Sequence, residues 1–263
     1  MSMMPDRVGK VGVGVDGPVV AGPSIDGRPP VIAEAHWPFR PANWNGVLVL
    51  GEAQNLATSA GTPAQVRAYS LEAQGLGSPD ERAGRLTSLP AFMPAGWSGQ
   101  TIHVKPWHSG PLRMAVACHG HDPDRCAVTN AVPWAWTKGG KDDNTMLGRK
   151  AVVEAAAAFL TTLFPRQPRT VYACGGRAQA VTAAAGWDVA RWRQGSYRSL
   201  WHDRRAWRGA FTVEAILAAL PAEVRRTFRE RQAREAAGGM KGAMKPEWVA
   251  LFVAQTLGVI SGP

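Results

Sequence analysis

A short polar segment, residues 51–55 (Gly-Glu-Ala-Gln-Asn), carries the groups best suited to chemistry on a bound ligand. It follows the apolar run of residues 47–50 (Val-Leu-Val-Leu), which is typical of a buried central strand that leads into a loop. Glu52 supplies a carboxylate, the next Gln and Asn supply amides, and Gly51 allows close approach to the backbone. We therefore expect a ligand site here. The alternative is that Glu52 is a solvated loop acid.

A second polar group, Asn130, leaves another strand candidate, residues 126–129. The Asn side chain has a donor and an acceptor in one plane, so it can make a paired contact with the edge of a pyrimidine. Ligands of open parallel sheets bind at the carboxyl ends of the strands. The sequence thus predicts that Asn130 and Glu52 belong to one site. The alternative is that Asn130 only forms the turn before the following Pro-Trp.

The third feature is the basic segment of residues 191–208, which has six arginines, one acid and four aromatic residues. Arginines can contact phosphates, and aromatic rings can stack on unpaired bases. A solvated basic face explains the arginines but not the rings between them. We expect this segment to be a loop that binds DNA through these residues: Arg191, Arg193, Tyr197, Arg198, Arg204 and Arg205.

A Cys-His cluster at residues 118–126 has metal-ligand chemistry, with Cys118, His119, His121 and Cys126. Adjacent Cys-His pairs do not follow the usual zinc-finger spacing. The preferred interpretation is a free buried thiol beside loop histidines. We expect neither a metal nor a cofactor, and elemental analysis that finds one zinc per chain would contradict this.

The elements that must position these groups alternate between strands and helices. Strands are predicted at residues 47–50, 112–117, 126–129 and 170–174, and helices at residues 63–73, 147–164 and 177–185. The tail from about residue 213 looks helical. This alternation predicts a parallel sheet with helices on both faces.

Composition limits the function classes. The chain has 263 residues and a formal net charge of +10, which favours a polyanionic partner. No apolar stretch approaches the roughly 18 residues of a membrane span, and the start lacks the apolar core of a signal peptide. Three cysteines are too few for a disulfide scaffold. We expect a soluble, cytoplasmic monomer with a flexible arm (1–30) and one α/β domain (31–263), extended by helices from about residue 213.

The order of these motifs resembles the uracil-DNA glycosylase superfamily. The resemblance spans about residues 44–212: an apolar strand ending in Gly-Glu-Ala, a strand ending in Thr-Asn-Ala-Val, an Ala-rich helix, a strand running into Cys-Gly-Gly, and a basic segment that contains Ser196. The first motif looks most like the branch with Gly-Glu-Ala-Pro-Gly. The resemblance implies a three-layer α/β/α sandwich around a mostly parallel, four-stranded sheet.

Three departures from the family pattern matter. Gln54 and Asn55 stand where that branch has Pro-Gly. The family's last motif is usually His-Pro-Ser, and the nearest counterpart here, residues 193–196 (Arg-Gln-Gly-Ser), has no His. That branch also binds an iron-sulfur cluster through four cysteines, and this chain has three. No cluster is expected.

By this resemblance, the chain hydrolyses the N-glycosidic bond of a flipped nucleotide in DNA. Glu52 stabilises the sugar cation or orients the water, with Asn55 as a second candidate. Asn130 reads the base, and Phe92 or Trp97 stacks on it. Gly51, Ala53 and Gln54 line the substrate, and Ser196 contacts a phosphate.

The departures leave the target base open between uracil, a deaminated purine and a bulky modified pyrimidine. The role is accordingly either base-excision repair or defence against phages with modified DNA. The alternative, from another functional class, is a noncatalytic module that binds DNA or a flipped base. It uses the same basic segment and the same Asn130, but it does not need Glu52.

Overall fold

The computed structural model of the chain describes residues 22–30, 43–53, 111–134, 136–138, 141–237 and 244–260. The predicted helix at residues 63–73 lies outside the described residues. So do four candidate site residues: Gln54, Asn55, Phe92 and Trp97.

The described residues form six strands: β1 (Val47–Ala53), β2 (Ala127–Val132), β3 (Thr137–Lys138), β4 (Lys141–Asp142), β5 (Thr170–Cys174) and β6 (Ala190–Trp192). Four of them form a parallel sheet at the centre of the fold, in the order β2-β1-β5-β6. Strands β3 and β4 form a separate antiparallel pair. The apolar run at the start of β1 is completely buried, as expected for a central strand covered on both faces.

Helices cover both faces of this sheet. They are α1 (Pro111–Cys118), α2 (Lys150–Leu163), α3 (Gly176–Ala184), α4 (Tyr197–Ala206), α5 (Val213–Ala218), α6 (Ala222–Ala237) and α7 (Pro246–Thr256). Helices α1 and α4 to α7 pack on one face, which we call the α1 face. Helices α2 and α3 pack on the other, the α3 face. The fold is thus an α/β protein with a three-layer α/β/α arrangement, which confirms the predicted fold class.

The prediction of a strand at residues 112–117 is wrong, because this segment belongs to helix α1. A short, continuous apolar run is compatible with either a buried strand or a buried helix. Here the helix packs between the sheet, α6 and α7, so nearly every side chain of the run is buried. Pro111 occupies its first position, where a proline needs no hydrogen-bond donor.

The basic segment is also not a loop. It contains the short strand β6, a turn, and the ten residues of helix α4. Ser196 caps the start of this helix, with its side chain and that of Ser199 forming a capping box. A helix with few buried positions leaves little pattern in the sequence: among the α4 side chains that the structure describes, Leu200 and Asp203 are the buried ones.

Both ends of the described chain contribute to the core. Ile25, in the segment assigned to an N-terminal arm, is buried in the core of the α3 face. Arg28 forms an ion pair with Asp143, at 2.9 Å. Helix α7 contributes five fully buried residues to the core of the α1 face: Ala250, Leu251, Phe252, Val253 and Ala254. In the described ranges, no helix has the length and apolarity needed to cross a membrane.

Candidate functional site

Gly51 and Asn130 are direct neighbours at the carboxyl edge of the sheet. They form a registered pair between the parallel strands β1 and β2. A Cβ atom built on Gly51 would lie only 2.6 Å from Oδ1 of Asn130. A side chain at position 51 would therefore displace the amide, so the glycine is what lets the Asn130 side chain lie over β1. The predicted meeting of the two strand ends is present in the fold.

Glu52 is held by the first turn of helix α3. Its Oε1 accepts a hydrogen bond from the backbone N–H of Arg177 at 3.1 Å, and its Oε2 accepts one from Nη1 of the same residue at 3.3 Å. The Glu52 side chain is 13% exposed and that of Arg177 is 36% exposed. Helix N-termini carry unsatisfied N–H groups and favour negative charge. The carboxylate is thus fixed in one orientation.

Two further contacts define the position of Glu52. Arg177 donates through Nη2 to the backbone oxygen of Asn144 at 3.2 Å, which anchors the guanidinium. Gly175 has a φ of +93°, and a Cβ atom there would lie 2.4 Å from Oε1 of Glu52. Position 175 must therefore be glycine, both for its backbone conformation and for the space that the carboxylate fills.

Glu52 and Asn130 approach the edge from opposite faces of the sheet. Side chains alternate along a strand, and Val49 of β1 belongs to the core of the α1 face whereas Leu50 belongs to that of the α3 face. Continuing this alternation, Gly51 and its neighbour Asn130 belong to the α1 face. Glu52 belongs to the α3 face, where it meets Arg177. A ligand that touches both groups must lie across the ends of β1 and β2.

Arg193, which follows β6 at the same edge, is paired with a buried acid. Its Nη1 atom lies 3.5 Å from Oδ1 of Asp203, whose side chain is fully buried, while that of Arg193 is 28% exposed. Neither carboxylate oxygen of Asp203 has a hydrogen-bond partner among the described residues. Burial raises the pKa of Asp203, and the nearby Arg193 and His202 oppose that rise. The charge of Arg193 is therefore partly engaged inside the protein.

The other predicted DNA-contact residues are distributed along β6 and α4. Arg191, Arg198 and Arg205 are exposed, whereas Arg204 lies over the ring of Phe211 at 4.4 Å. Tyr197 is the first residue of α4.

The Ser196 hydroxyl, predicted to contact a phosphate, takes part in capping α4. It accepts from the backbone N–H of Ser199 at 3.4 Å and lies 3.0 Å from the Ser199 hydroxyl. Ala53, the last residue of β1, pairs with Val132.

Two residues of this edge, Arg177 and Gly175, are absent from the sequence-based prediction of the site. The sequence signal that could have identified them is Cys-Gly-Gly-Arg at the end of β5, which forms a strand-to-helix turn at the ligand-binding edge of a parallel sheet. The sequence does not show that Glu52, more than 120 positions earlier in the chain, fills the space beside this turn.

The cysteines are buried in the core, and the two histidines of the Cys-His cluster contact an aromatic ring. Cys118, Cys126 and Cys174 are free and buried. Burial raises the pKa of Cys118 to about 12 and that of Cys126 to about 11. Burial also lowers the pKa values of His119 and His121, whose rings contact the ring of Tyr172. No group of three or more metal-binding side chains occurs in the part of the chain that the structure describes.

Comparison with known proteins identifies no relative. No protein-family model, no curated protein and no solved structure matches this chain.

Proposed function

We propose that this protein is a DNA glycosylase, which hydrolyses the N-glycosidic bond of a flipped uracil or modified pyrimidine nucleotide and leaves an abasic site. The motif resemblance suggests the activity. The observation that carries the proposal is the placement of a fixed carboxylate, Glu52, beside the Gly51–Asn130 pair at the carboxyl edge of a parallel sheet. Ligands bind at this edge in open α/β sheets.

The two groups suit the two halves of a nucleotide. Asn130 presents a donor and an acceptor to the edge of the base. As the glycosidic bond stretches, positive charge develops on the sugar, and the carboxylate of Glu52 stabilises it or orients the attacking water. Because the two side chains belong to opposite faces, the nucleotide lies across the strand ends, with its base towards Asn130 and its sugar towards Glu52.

Positive charge around this edge supports DNA as the partner. The chain has a net charge of +10, and exposed arginines continue from β6 into α4. Such a surface contacts phosphates irrespective of sequence. In this proposal the protein acts as a monomer in the cytoplasm, without a metal or other cofactor.

The segment after β6 supports a base other than plain uracil. The resembling family has His-Pro-Ser in its last motif, with the histidine on the pyrimidine carbonyl, and alignment on Ser196 puts Gln194 and Gly195 at the histidine and the proline. The histidine is therefore absent, and Arg193, which precedes these positions, faces the buried Asp203. We therefore extend the substrate class to bulky modified pyrimidines, consistent with a role in defence against phages with modified DNA or in base-excision repair.

A second candidate function is a noncatalytic module that binds DNA or a flipped base. The observation that favours it is the engagement of both Glu52 oxygens by Arg177. An acid that accepts N–H groups at a helix start can serve stability alone. In this case Asn130 and the arginines bind the nucleic acid and no bond is cleaved.

One experiment separates these functions. The protein is incubated with oligonucleotides that each carry one base from a panel of uracil, deaminated purines and modified pyrimidines, and then with alkali, which breaks the strand at abasic sites. The glycosylase proposal expects strand breaks with at least one member of the panel. The noncatalytic module expects none, while the same oligonucleotides still bind.

A further inference from the structure

Trp201 on helix α4 is the most exposed large hydrophobic side chain in the described part of the chain, at 50% exposure. Its ring is nearly parallel to that of Trp248 on α7, with an angle of 21° and a centroid separation of 6.3 Å. The Trp248 ring in turn meets Phe211 edge-on at 4.9 Å. Trp201 is thus supported by Trp248, which is itself packed against Phe211, while half of the Trp201 surface faces solvent.

Arginines flank this ring on the same side of α4. Arg198 precedes Trp201 by three positions and Arg205 follows it by four, the spacings that place residues together on one helix face. The Arg205 guanidinium carbon lies over the Trp201 ring, 5.7 Å from its centre, so a base that stacks on this face moves the exposed Arg205 side chain aside towards the backbone of the bound strand. Both arginines are exposed, and neither forms an ion pair with another described residue. We call Trp201, Arg198 and Arg205 the Trp201 platform.

The positive charge and the exposed ring of the platform together indicate the kind of partner it binds. Helix α4 has one acid, Asp203, and it is buried against Arg193, so the exposed charge of the helix is entirely positive. Arginines alone would contact the phosphates of any duplex. An exposed, supported ring between them is suited instead to a base whose face is open, which requires an unpaired strand.

We propose that the Trp201 platform binds single-stranded DNA, with Trp201 stacked on an unpaired base and with Arg198 and Arg205 on the adjoining phosphates. The inference rests on the proposed function for the choice of DNA, and it adds the strandedness of the substrate.

The test measures the affinity of the full chain for two fluorescent DNAs that contain only normal bases, a thymidine 15-mer and a duplex hairpin. Trp201→Leu and Trp201→Phe both retain an apolar side chain against Trp248, but only Phe retains a stacking face. We expect Trp201→Leu to weaken binding of the 15-mer by about 10-fold or more. Trp201→Phe should stay within about 3-fold of the parent, and hairpin binding should change by less than about 2-fold in both variants.

Val259→Ala is the matched control, since Val259 is the other exposed large hydrophobic residue of the described chain. It should leave both affinities unchanged. Equal binding of the 15-mer by the parent and Trp201→Leu would overturn the proposal and favour a protein as the partner of the platform. An equal loss on the hairpin would overturn it in favour of duplex binding. Neither DNA contains an excisable base, so a failure of base release in the panel experiment leaves this test intact.

Discussion

Arg177 binds both carboxylate oxygens of Glu52, one through its backbone N–H at 3.1 Å and the other through its guanidinium at 3.3 Å. The two residues come from different elements, the end of β1 and the first turn of α3, so the contact fixes the acid relative to the sheet edge. A group that stabilises a transition state must be held in place before the reaction begins. The same contact is also what a purely structural acid would make, and mutation separates the two roles.

Glu52→Gln retains the size of the side chain and an oxygen for the Arg177 N–H, but it removes the charge. If the carboxylate stabilises charge that exists only in the transition state, the single-turnover rate of base release should fall by on the order of 100-fold or more. Affinity for the same DNA should stay within a few-fold of the parent. Equal rates for parent and variant would refute the catalytic role and direct attention to Gln54 and Asn55.

Gly175→Ala should displace Glu52, because the new methyl group would lie 2.4 Å from Oε1. Gly186→Ala is the control for replacing a positive-φ glycine in open space: its φ is +71°, and nothing apart from its chain neighbours lies within 4 Å of its Cβ position. We expect the control to lose about 1 kcal/mol of unfolding free energy from backbone strain alone. Gly175→Ala should lose at least about 1 kcal/mol more in urea unfolding, because Glu52 is displaced and because the backbone at position 175 (φ +93°, ψ 163°) lies in a region that only glycine adopts readily. In a Glu52→Ala background only the backbone part of this extra loss should remain.

The two glycine variants should also differ in base release. The rate for Gly186→Ala should remain near that of the parent, while that for Gly175→Ala should fall together with its stability. If both variants lose the same free energy and keep the same rate, the space beside Gly175 is not needed for Glu52.

Asp203→Asn should change how stability depends on pH. Burial raises the pKa of Asp203 in the folded protein, so the folded state binds this proton more tightly than the unfolded chain, in which the pKa is about 3.9. The stability contribution of the protonated acid is therefore present below that value and is lost as pH rises through the folded pKa. We expect the unfolding free energy of the parent, relative to Asp203→Asn, to decrease between about pH 4 and pH 7.

Urea unfolding at both pH values checks this difference. Asp188→Asn is the control, because Asp188 is exposed, and it should show the pH dependence of the parent. A parent that gains stability relative to Asp203→Asn as pH rises would mean that the Arg193 ion pair outweighs the burial of the acid.

The double variant Arg198→Ala/Arg205→Ala should weaken DNA binding and reduce its salt dependence. Each lost phosphate contact lowers the slope of log affinity against log salt by roughly one unit, because fewer counterions are released. Arg193, a candidate from the sequence, is a poorer choice since its removal leaves Asp203 unpaired. The control is Arg226→Ala/Arg229→Ala on α6, where both arginines pair with exposed acids. If the two double variants have the same salt slope, α4 is not part of the interface.

The local sequence pattern was sufficient to predict an element that is long or strongly apolar. The run at residues 47–50 predicts β1, the Ala-rich segment predicts α2, and the alternation of elements predicts a parallel sheet. Local pattern failed at residues 112–117, since a short apolar run has no period that separates helix from strand. It also failed in the basic segment, where two of the described side chains of α4 are buried and one of these is an acid, so the sequence has almost no apolar stripe to detect.

The sequence by itself determined that Gly51 and Asn130 would share an edge, because the ends of neighbouring parallel strands must come together. Only the tertiary structure decided which group each charged side chain contacts. Glu52 meets Arg177 from 125 positions away, and Asp203 is buried against Arg193. The reason is physical: strand and helix patterns arise from neighbouring residues, whereas ion pairs and burial depend on how the elements pack, and no local spacing records that.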